Sequence, residues 1–279
     1  MMRKSKLFSK NLPRYYLHIA GFIFVVDMKY VTDEDVHTQL RNFLSGYYFT
    51  ILSEQGDIPA DQIDYTIYFV AEEELKFTRR TRQNATLSEY FLRIFSLGKK
   101  NCYVDYHISI AQMQFLLKSI VQQLLNTSSG FVLHASAVTN GKEAFLFLGT
   151  NGAGKSTIVQ NLRKMLSPFA DDTVAIKSEK GKWTASQFPL EKNKMTYITD
   201  NVPLVRGLFF IKKSNQTKFV KMSLNESLPR VVKQIMLLHG MKINMKNLLR
   251  FIGYVDAIYV LECQKKPDIK KIVTFLEAI

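Results

Sequence analysis

Cysteine is scarce in this chain, which has only two among 279 residues, Cys102 and Cys263. Neither belongs to a C-x-x-C pair or to another spacing typical of metal ligands, so the cysteine-based metal motifs are excluded. A chain of this length buries enough apolar surface to fold without disulfides. We therefore expect both thiols to be reduced and the protein to be cytoplasmic.

Long hydrophobic runs are also missing. No apolar stretch approaches the roughly 20 residues that a membrane-spanning helix requires. The basic segment Met1–Lys10 precedes a short apolar stretch, Ala20–Val26, but the charged residues Asp27 and Lys29 follow it where a signal peptide would have a small-residue cleavage site. The sequence thus predicts neither a membrane span nor a signal peptide.

Acidic residues are outnumbered: 24 aspartates and glutamates face 38 lysines and arginines, which gives a net charge of +14 at pH 7. A basic protein attracts anions such as nucleotides, acidic protein surfaces and nucleic acids. The lysines are scattered, many of them in the stretches 177–182 and 212–218, and no zinc-finger, helix-turn-helix or RNA-binding signature accompanies them. The pattern favours a lysine-rich solvated surface over a dedicated nucleic-acid face.

The composition, with 47% hydrophobic residues, is typical of globular domains. We expect a β-rich N-terminal domain over residues 1–128 and a second domain over residues 129–279. Aromatic and β-branched runs predict the strands of the first domain, which are Tyr15–Val26, Asp64–Val70, Phe91–Phe95 and Cys102–Ile110. Val36–Leu44 predicts a short helix, and apolar residues at helical spacing over Ala111–Leu125 predict a longer helix that bridges the domains.

A complete phosphate-binding motif, G-x-x-x-x-G-K-[ST], stands in the second domain, where residues 149–156 read Gly-Thr-Asn-Gly-Ala-Gly-Lys-Ser. The glycines allow a loop to curl around an anion with its N–H groups pointing inward. The lysine adds a charge for the β- and γ-phosphates, and the serine hydroxyl is a ligand for Mg²⁺. The predicted nucleotide-binding residues are Gly149, Thr150, Asn151, Gly152, Ala153, Gly154, Lys155, Ser156 and Thr157.

The flanks of the motif agree with a P-loop. Ala144–Leu148 is a short apolar run, as expected of a buried strand, and Thr157–Leu166 has one apolar helical side that includes Met165. A strand that enters a glycine-rich loop and leaves as a helix is the structural context that this motif requires.

The strand before the P-loop also has a predicted partner. Asn140 and Gly141 between two apolar runs indicate a tight hairpin, which pairs this strand with Phe131–Val138. If those two residues form the whole turn, His134 lies across from Phe147, about 7 Å along the strand from the loop.

The region after the P-loop helix contains more predicted elements. Ser167 and Pro168 mark a turn, two adjacent carboxylates follow at Asp171 and Asp172, and a strand comes next. The remaining expected strands are Trp183–Leu190, Val202–Ile211 and Ala257–Cys263, and the expected helices are Asn225–Leu238 and Asn244–Phe251.

Phosphoryl transfer from ATP requires, besides the P-loop, a metal ligand and a group that handles the proton of the acceptor. Asp171 and Asp172 are the best candidates, because neighbours on an extended backbone point to opposite sides, so that one reaches Mg²⁺ and the other an acceptor hydroxyl. His134 is a further candidate for phosphate contact or proton transfer. Alternatively, the aspartates cap a turn and His134 is structural. Arg206 is interpreted as an ion-pair residue rather than a phosphate ligand.

Taken together, these segments resemble the HPr kinase/phosphorylase family and its smaller relatives. The short distance from Lys155 to Asp171 is characteristic, because it is too short for the Walker B aspartate of most P-loop NTPases. The resemblance is firm over Gly130–Ile176 and loose over the rest of the second domain. It rests on Leu133–Val138, on Gly141, on the stretch from Ala144 to Thr157, and on Ala170–Ile176.

The resemblance implies an α/β (α+β) fold, with a P-loop kinase domain of the HPr kinase type and a mixed sheet behind the β-rich domain. It also implies ATP and Mg²⁺ as ligands, with Ser156 binding the metal. Asp171 becomes the general base and Asp172 an additional base or metal-linked group, in an order that sequence does not fix. His134 and Lys155 complete the implied catalytic set.

The chain departs from the family pattern at one position. The enzymes that act on HPr carry an acidic residue just before an Arg-Gly pair, and here Val205 precedes Arg206. The second metal-linked carboxylate is then missing, or it has moved to Glu191 or Asp200. The chain therefore looks more like stand-alone relatives, such as lasso-peptide kinases and kinases of free serine.

The leading hypothesis is an ATP-dependent phosphotransferase with an alcohol acceptor, namely a kinase that acts on a serine-type hydroxyl of a peptide or protein. A kinase of free serine, a non-catalytic nucleotide-binding assembly protein and a nucleic-acid-stimulated NTPase remain alternatives. No membrane partner is predicted, a nucleic-acid partner is disfavoured, and a homo-oligomer is compatible with the sequence.

Overall fold

The computed structural model describes residues 14–28, 38, 42, 50–53, 58–70, 98–105, 110–188, 202–237, 242–255 and 257–279. The chain divides into two compact units, Met1–Leu116 and Leu117–Ile279. The division falls inside helix α1, Ile110–Thr127, which covers the helix expected over Ala111–Leu125. In the described part of the chain, each unit contains its own β-sheet.

The first unit contains a five-stranded sheet in the order β3-β1-β2-β4-β5. Its strands are β1 (Arg14–Ile19), β2 (Phe22–Asp27), β3 (Thr50–Ser53), β4 (Tyr65–Val70) and β5 (Asn101–Asp105). β1 pairs antiparallel with β2 and β3, whereas β2 with β4 and β4 with β5 are parallel pairs. A single 3₁₀ turn, Ala60–Gln62, precedes β4.

The single strand expected over Tyr15–Val26 is wrong, because a tight turn divides it into β1 and β2. Ala20 and Gly21 form this turn with φ angles of 53° and 78°. Two successive positive φ angles give the turn the twist that neighbouring antiparallel strands need. The apolar run hides the turn, because Ala20 is not a typical turn residue.

Two other expectations for the first unit have different outcomes. The strand expected over Cys102–Ile110 ends at Asp105. The expected strand Phe91–Phe95 and, apart from residues 38 and 42, the expected helix Val36–Leu44 lie outside the described residues.

The second unit contains a ten-stranded mixed sheet in the order β14-β6-β10-β11-β12-β8-β7-β9, with β15 beside β12 and β13 beside β15. Its strands are β6 (Phe131–Leu133), β7 (Ala135–Thr139), β8 (Glu143–Leu148), β9 (Ser167–Ala170), β10 (Val174–Glu179), β11 (Lys182–Gln187), β12 (Leu204–Lys213), β13 (Lys218–Lys221), β14 (Ile235–Met236) and β15 (Ala257–Cys263). Its helices after α1 are α2 (Lys155–Leu162), α3 (Leu224–Val232), α4 (Met245–Tyr254) and α5 (Ile269–Ala278).

Three parallel strands form the centre of this sheet. β12 pairs parallel with β8 on one side and with β15 on the other. The other described pairs of this sheet are antiparallel. The structure therefore confirms the expected α/β fold with a mixed sheet. Because the P-loop follows β8, it lies at the carboxyl end of a parallel strand, where open α/β sheets form their ligand sites.

Both faces of the central strands are buried. Phe145 and Phe147 of β8 pack with α2 and α5 on one face, in a cluster that includes Val159 and Ile272. The intervening Leu146 and its neighbours pack on the other face, against buried residues of α3 and α4. Strands covered on both faces are apolar at every position, which is why β8 has an unbroken hydrophobic run.

Several expected boundaries in the second unit are wrong. The strand expected over Phe131–Val138 is interrupted at His134, which separates β6 from β7. Ser167 and Pro168 do not form a turn but begin β9, which pairs antiparallel with β7. Pro168 is tolerated there because β9 ends the sheet order and Pro168 needs no N–H for a ladder bond on an edge.

The helices of the second unit also differ from expectation. α2 ends at Leu162, four residues before the expected end, and Met165 is exposed rather than part of an apolar side. α3 ends at Val232, and the chain continues as β14 instead of a helix reaching Leu238. Within the described residues, no helix combines the length and the apolarity needed to cross a membrane.

Candidate active site

The P-loop curls between β8 and α2. Gly149, Gly152 and Gly154 have φ angles of 151°, 75° and 107°, a backbone region that side-chain-bearing residues rarely adopt. A Cβ on Gly149 would also lie 2.9 Å from the Cβ of Ala153. Gly154 is the N-cap of α2, so the loop leads directly into the positive end of that helix. The local geometry is that of an anion-binding cradle.

Lys155 is the buried cation of this cradle. Its Nζ donates hydrogen bonds to the carbonyl oxygens of Gly149, at 3.0 Å, and Thr150, at 3.4 Å. Burial lowers the pKa of the Lys155 amine, and the negative charges of Asp172 and Asp171 act in the opposite direction. The carbonyl groups of the loop and the two nearby carboxylates therefore stabilise the positive charge of Lys155.

Asp171 connects the P-loop to the neighbouring strand. It follows β9 and is buried, and its Oδ1 accepts two hydrogen bonds from serine hydroxyls. The hydroxyl of Ser156, the P-loop serine, donates to Oδ1 at 2.7 Å, and that of Ser136 in β7 donates at 2.8 Å. One carboxylate oxygen is thus fixed between α2 and the sheet.

Asp172 has a different environment. Its side chain is 72% exposed, and its Oδ1 lies 3.0 Å from Nε2 of His134. The sequence suggested an extended backbone at Asp172, but the φ angle there is 89°, so that expectation is wrong. The carbonyl of Asp172 accepts a hydrogen bond from the N–H of Ala135 at 3.1 Å. A non-glycine residue held at positive φ stores strain, which is commonest at functional sites.

His134 does not lie across from Phe147, so the expected register is wrong. Ser136 opposes Phe147, and the loop between β7 and β8 holds three residues, 140–142. The side chain of Asn140 accepts hydrogen bonds from the N–H groups of Lys142 and Glu143, which stabilises the longer loop. His134 nevertheless lies beside Asp172, because it occupies the interruption between β6 and β7.

The atoms present fit Mg²⁺ bound together with phosphate. In the part of the chain that the structure describes, no group of three or more His, Cys, Asp or Glu side chains forms a metal cage. Mg²⁺ in nucleotide sites usually takes only one or two protein carboxylates and completes its coordination with phosphates and water. Ser156 Oγ, at the start of α2, and Asp171 Oδ1, just after β9, supply two oxygen atoms of the kind that Mg²⁺ prefers.

Other sequence candidates lie elsewhere. The guanidinium of Arg206 is 3.5 Å from the carboxylate of Glu143, which makes it an ion-pair residue as expected. Val205, at the position that is acidic in the HPr-directed enzymes, is buried in the core. Glu191 and Asp200 lie outside the described residues.

Sequence reasoning missed two participants. Ser136 is fully buried and bonds Asp171, and a signal existed: it stands two residues from His134 on a predicted strand, and such residues share a face. Gln234 accepts a hydrogen bond from the N–H of His134 through its backbone carbonyl at 2.7 Å. No sequence signal indicates that contact, because Gln234 is distant along the chain.

Comparisons with known proteins give two similarities. Residues 100–234 match the family described as SynChlorMet cassette protein ScmC, a span that includes the P-loop and both aspartates. Among solved structures, 42 chains match. One is the Hpr(Ser) kinase/phosphatase from Coxiella burnetii, which is 13% identical with a TM-score of 0.30, over 53% of this chain and 94% of that chain. No curated protein matches.

Proposed function

We propose that this chain is an ATP-dependent kinase that transfers the γ-phosphate to a serine-type hydroxyl of a peptide or protein. One observation carries the proposal: two adjacent carboxylates at the end of β9 have opposite environments. Asp171 is buried and bonds Ser156 of the P-loop, whereas Asp172 is exposed and held by His134. One carboxylate is attached to the phosphate-binding loop, and the other is open to an incoming molecule.

The nucleotide occupies the P-loop cradle in this proposal. The N–H groups of residues 149–157 and the ammonium of Lys155 bind its phosphates. Ser156 and Asp171 hold Mg²⁺ together with those phosphates, because their oxygen atoms already converge at 2.7 Å. When bound, the metal neutralises charge that builds up on the transferred group.

The geometry favours an exchange of the two aspartate roles that the family resemblance implies. Asp171 Oδ1 already accepts two hydrogen bonds, from the hydroxyls of Ser136 and Ser156, which suits a fixed metal-linked group. Asp172 is exposed and His134 Nε2 lies 3.0 Å from its carboxylate, which suits a general base. We therefore assign Asp171 to the metal and Asp172 to the acceptor hydroxyl, with His134 as the positioning residue of Asp172.

The reaction then has a simple proton balance. The acceptor oxygen forms a bond to the γ-phosphorus while the bond between that phosphorus and the β,γ-bridging oxygen breaks, so ADP leaves. The hydroxyl proton passes to the carboxylate of Asp172. Lys155 and the start of α2 offset the negative charge on the phosphates.

A peptide or protein acceptor fits better than free serine. Asp172 is 72% exposed, so the described residues leave the assigned base open to an acceptor. A small-molecule site normally encloses most of its ligand, whereas a peptide site is an open groove or surface.

The test compares two matched substitutions in a γ-phosphate transfer assay with serine-containing peptides and free serine as acceptors. Asp172→Asn should lower the transfer rate by about 10²–10⁴-fold while ATP binding with Mg²⁺ is retained, because only the base is lost. Asn also tolerates the positive φ at this position. Asp171→Asn should instead weaken the binding of ATP in the presence of Mg²⁺.

Asp268→Asn is the matched control. Asp268 caps α5 by accepting a hydrogen bond from the N–H of Lys271, and asparagine caps helices equally well. This variant should therefore keep both ATP binding and transfer. Undiminished transfer by Asp172→Asn would refute the assigned base, and ATP binding without transfer to any acceptor would refute the kinase.

A further inference from the structure

The segment from α3 to α4 is strongly basic. Residues 224–255 contain five lysines and arginines but a single carboxylate, Glu226. That carboxylate accepts hydrogen bonds from the N–H and hydroxyl of Ser223 in the capping box of α3, which lowers its pKa, as does the nearby charge of Arg230. The other cations of the segment, Lys233, Lys242, Lys246 and Arg250, are exposed.

Exposed apolar side chains lie among these cations. Met236, Leu237, Met245 and Leu249 are each between 40% and 46% exposed. The opposite side of α4 is buried in the core, so its exposed residues form one outer side of the helix. We name the outer residues of α4 together with Met236, Leu237 and Lys242 the basic–apolar face. Its exposed residues on α4 are Met245, Lys246, Leu249 and Arg250.

A cleft adjoins this face. It is shallow, opens to solvent, and is lined by Phe131, Ile235, Leu237, Lys242 and Asn244 among others. Ile235 belongs to β14, which ends the order of the ten-stranded sheet in the described part of the chain. β14 has two residues, and the Met236 carbonyl already accepts a hydrogen bond from Gln122, so a peptide would be held here by side-chain contacts with the cleft and not by strand pairing.

The face is linked to the proposed catalytic site through β14. Gln234 immediately precedes β14, and its carbonyl accepts the hydrogen bond from the N–H of His134, the residue that holds Asp172. Two extended residues, Ile235 and Met236, separate Gln234 from Leu237, which spans about 10 Å along the strand.

We infer that the basic–apolar face binds the acceptor peptide, and that this peptide carries acidic and aliphatic side chains next to its serine. This inference rests on the proposed kinase function. Charge complementarity selects an acidic partner, since the face offers Lys242, Lys246 and Arg250. The exposed methionines and leucines favour a peptide over a nucleic acid, because binding of single-stranded nucleic acid relies on stacking against exposed aromatic rings. The apolar residues that define the face are aliphatic.

The test measures binding and transfer separately in the full chain. The probe is a fluorescein-labelled peptide of one serine, two leucines and four acidic residues. The double variant Lys246→Glu/Arg250→Glu should bind it about tenfold more weakly, because each exposed ion pair contributes up to about fivefold. Leu249→Gln should weaken binding about threefold to fivefold through lost apolar burial. ATP binding should stay unchanged in both variants.

Two controls separate this face from general electrostatics. Lys142→Glu/Lys221→Glu changes the net charge as much as Lys246→Glu/Arg250→Glu does, but at exposed positions outside the face. Its affinity for the peptide should therefore stay within about twofold of that of the wild type. A peptide with the leucines replaced by serines should bind the wild type more weakly. Equal loss in both double variants would refute the docking face.

The outcomes also distinguish this inference from the kinase proposal. If the peptide binds through the face but receives no phosphate from ATP, the kinase proposal fails and the docking face remains. If the wild type phosphorylates the peptide and Lys246→Glu/Arg250→Glu has an unchanged KM, the docking face fails and the kinase remains. Stronger binding of a labelled single-stranded oligonucleotide at this face would overturn the acidic-peptide partner, as would a dimer that the double variant dissociates.

Discussion

Asp171 Oδ1 accepts two hydroxyl hydrogen bonds, and the two donors have different exposures. Ser156 is exposed in the P-loop, so it can turn from the carboxylate to a metal ion. Ser136 is fully buried in β7 and cannot leave without breaking the packing of the strand. We therefore expect Ser136 to keep the carboxylate in place when Ser156 exchanges partners. Such groups behind a metal ligand determine its orientation.

This role predicts that Ser136→Ala lowers the factor by which Mg²⁺ strengthens ATP binding by about tenfold. The reason is that the Asp171 carboxylate loses the donor that holds it in place. The free energy of unfolding should also fall, by about 1 kcal/mol, through the lost buried hydrogen bond. Isothermal titration of ATP at several Mg²⁺ concentrations and urea unfolding measure the two effects.

Ser227→Ala is the matched control for that substitution. Ser227 is also fully buried, and its hydroxyl bonds the carbonyl of Leu224 within α3. Its replacement should cost similar stability without changing the response to Mg²⁺. If both variants bind ATP and Mg²⁺ as the wild type does, Ser136 has only a packing role.

At the scale of single elements, the P-loop owes its shape to residues without a side chain. A Cβ added at Gly154 would contact nothing within 4 Å, so the cost of Gly154→Ala comes from the backbone alone, whose φ is 107°. That cost is about 1–2 kcal/mol. We expect this substitution to lower the free energy of unfolding by that amount and to weaken ATP binding, because the cradle N–H groups move.

Gly181 provides a control with the same local physics. It stands between β10 and β11 with a φ of 81°, and its Cβ would also find open space. Gly181→Ala should lose comparable stability in urea unfolding while its affinity for ATP stays unchanged. Equal ATP affinity in both variants would show that the backbone of Gly154 is not part of the nucleotide site.

Elements with strong local patterns could be predicted from the sequence. β15 spans Ala257–Cys263 as expected, because its first five residues, 257–261, form an apolar run typical of a largely buried strand. α4 was placed within a few residues, since its buried residues recur at helical spacing and Asn244 caps its start. The strand–loop–helix order around the P-loop followed from the motif itself.

Tertiary contacts set the elements that could not be predicted. β6 and β7 separate at His134 because its N–H bonds Gln234, which is 100 residues away in the chain. β9 exists because β7 offers it a pairing edge, which outweighs the turn preference of Pro168. In the site, His134 lies beside Asp172 because of the break between β6 and β7, whereas the register assumed for the hairpin is not the one formed.

At the scale of the whole molecule, the second unit contains all the parts that the proposed chemistry needs. The P-loop, His134 and both aspartates lie between β6 and β10, and apolar clusters cover both faces of the central strands. α1 also contributes to this unit beyond Leu117. The side chain of Gln122 donates a hydrogen bond to the carbonyl of Met236 at 2.6 Å, and the N–H of Gly130 bonds the carbonyl of Leu125.

From these contacts we propose that a domain able to fold on its own starts within α1 rather than at residue 129. We predict that a fragment of residues 110–279 unfolds cooperatively in urea and binds ATP as the full chain does, because it keeps the whole helix. A fragment of residues 129–279 should be less stable by several kcal/mol, since it lacks the buried side chains Leu124 and Leu125 and the bond of Gln122. Equal stability of the two fragments would support the boundary at residue 129. Loss of ATP binding by the longer fragment would mean that residues before 110 contribute to the site.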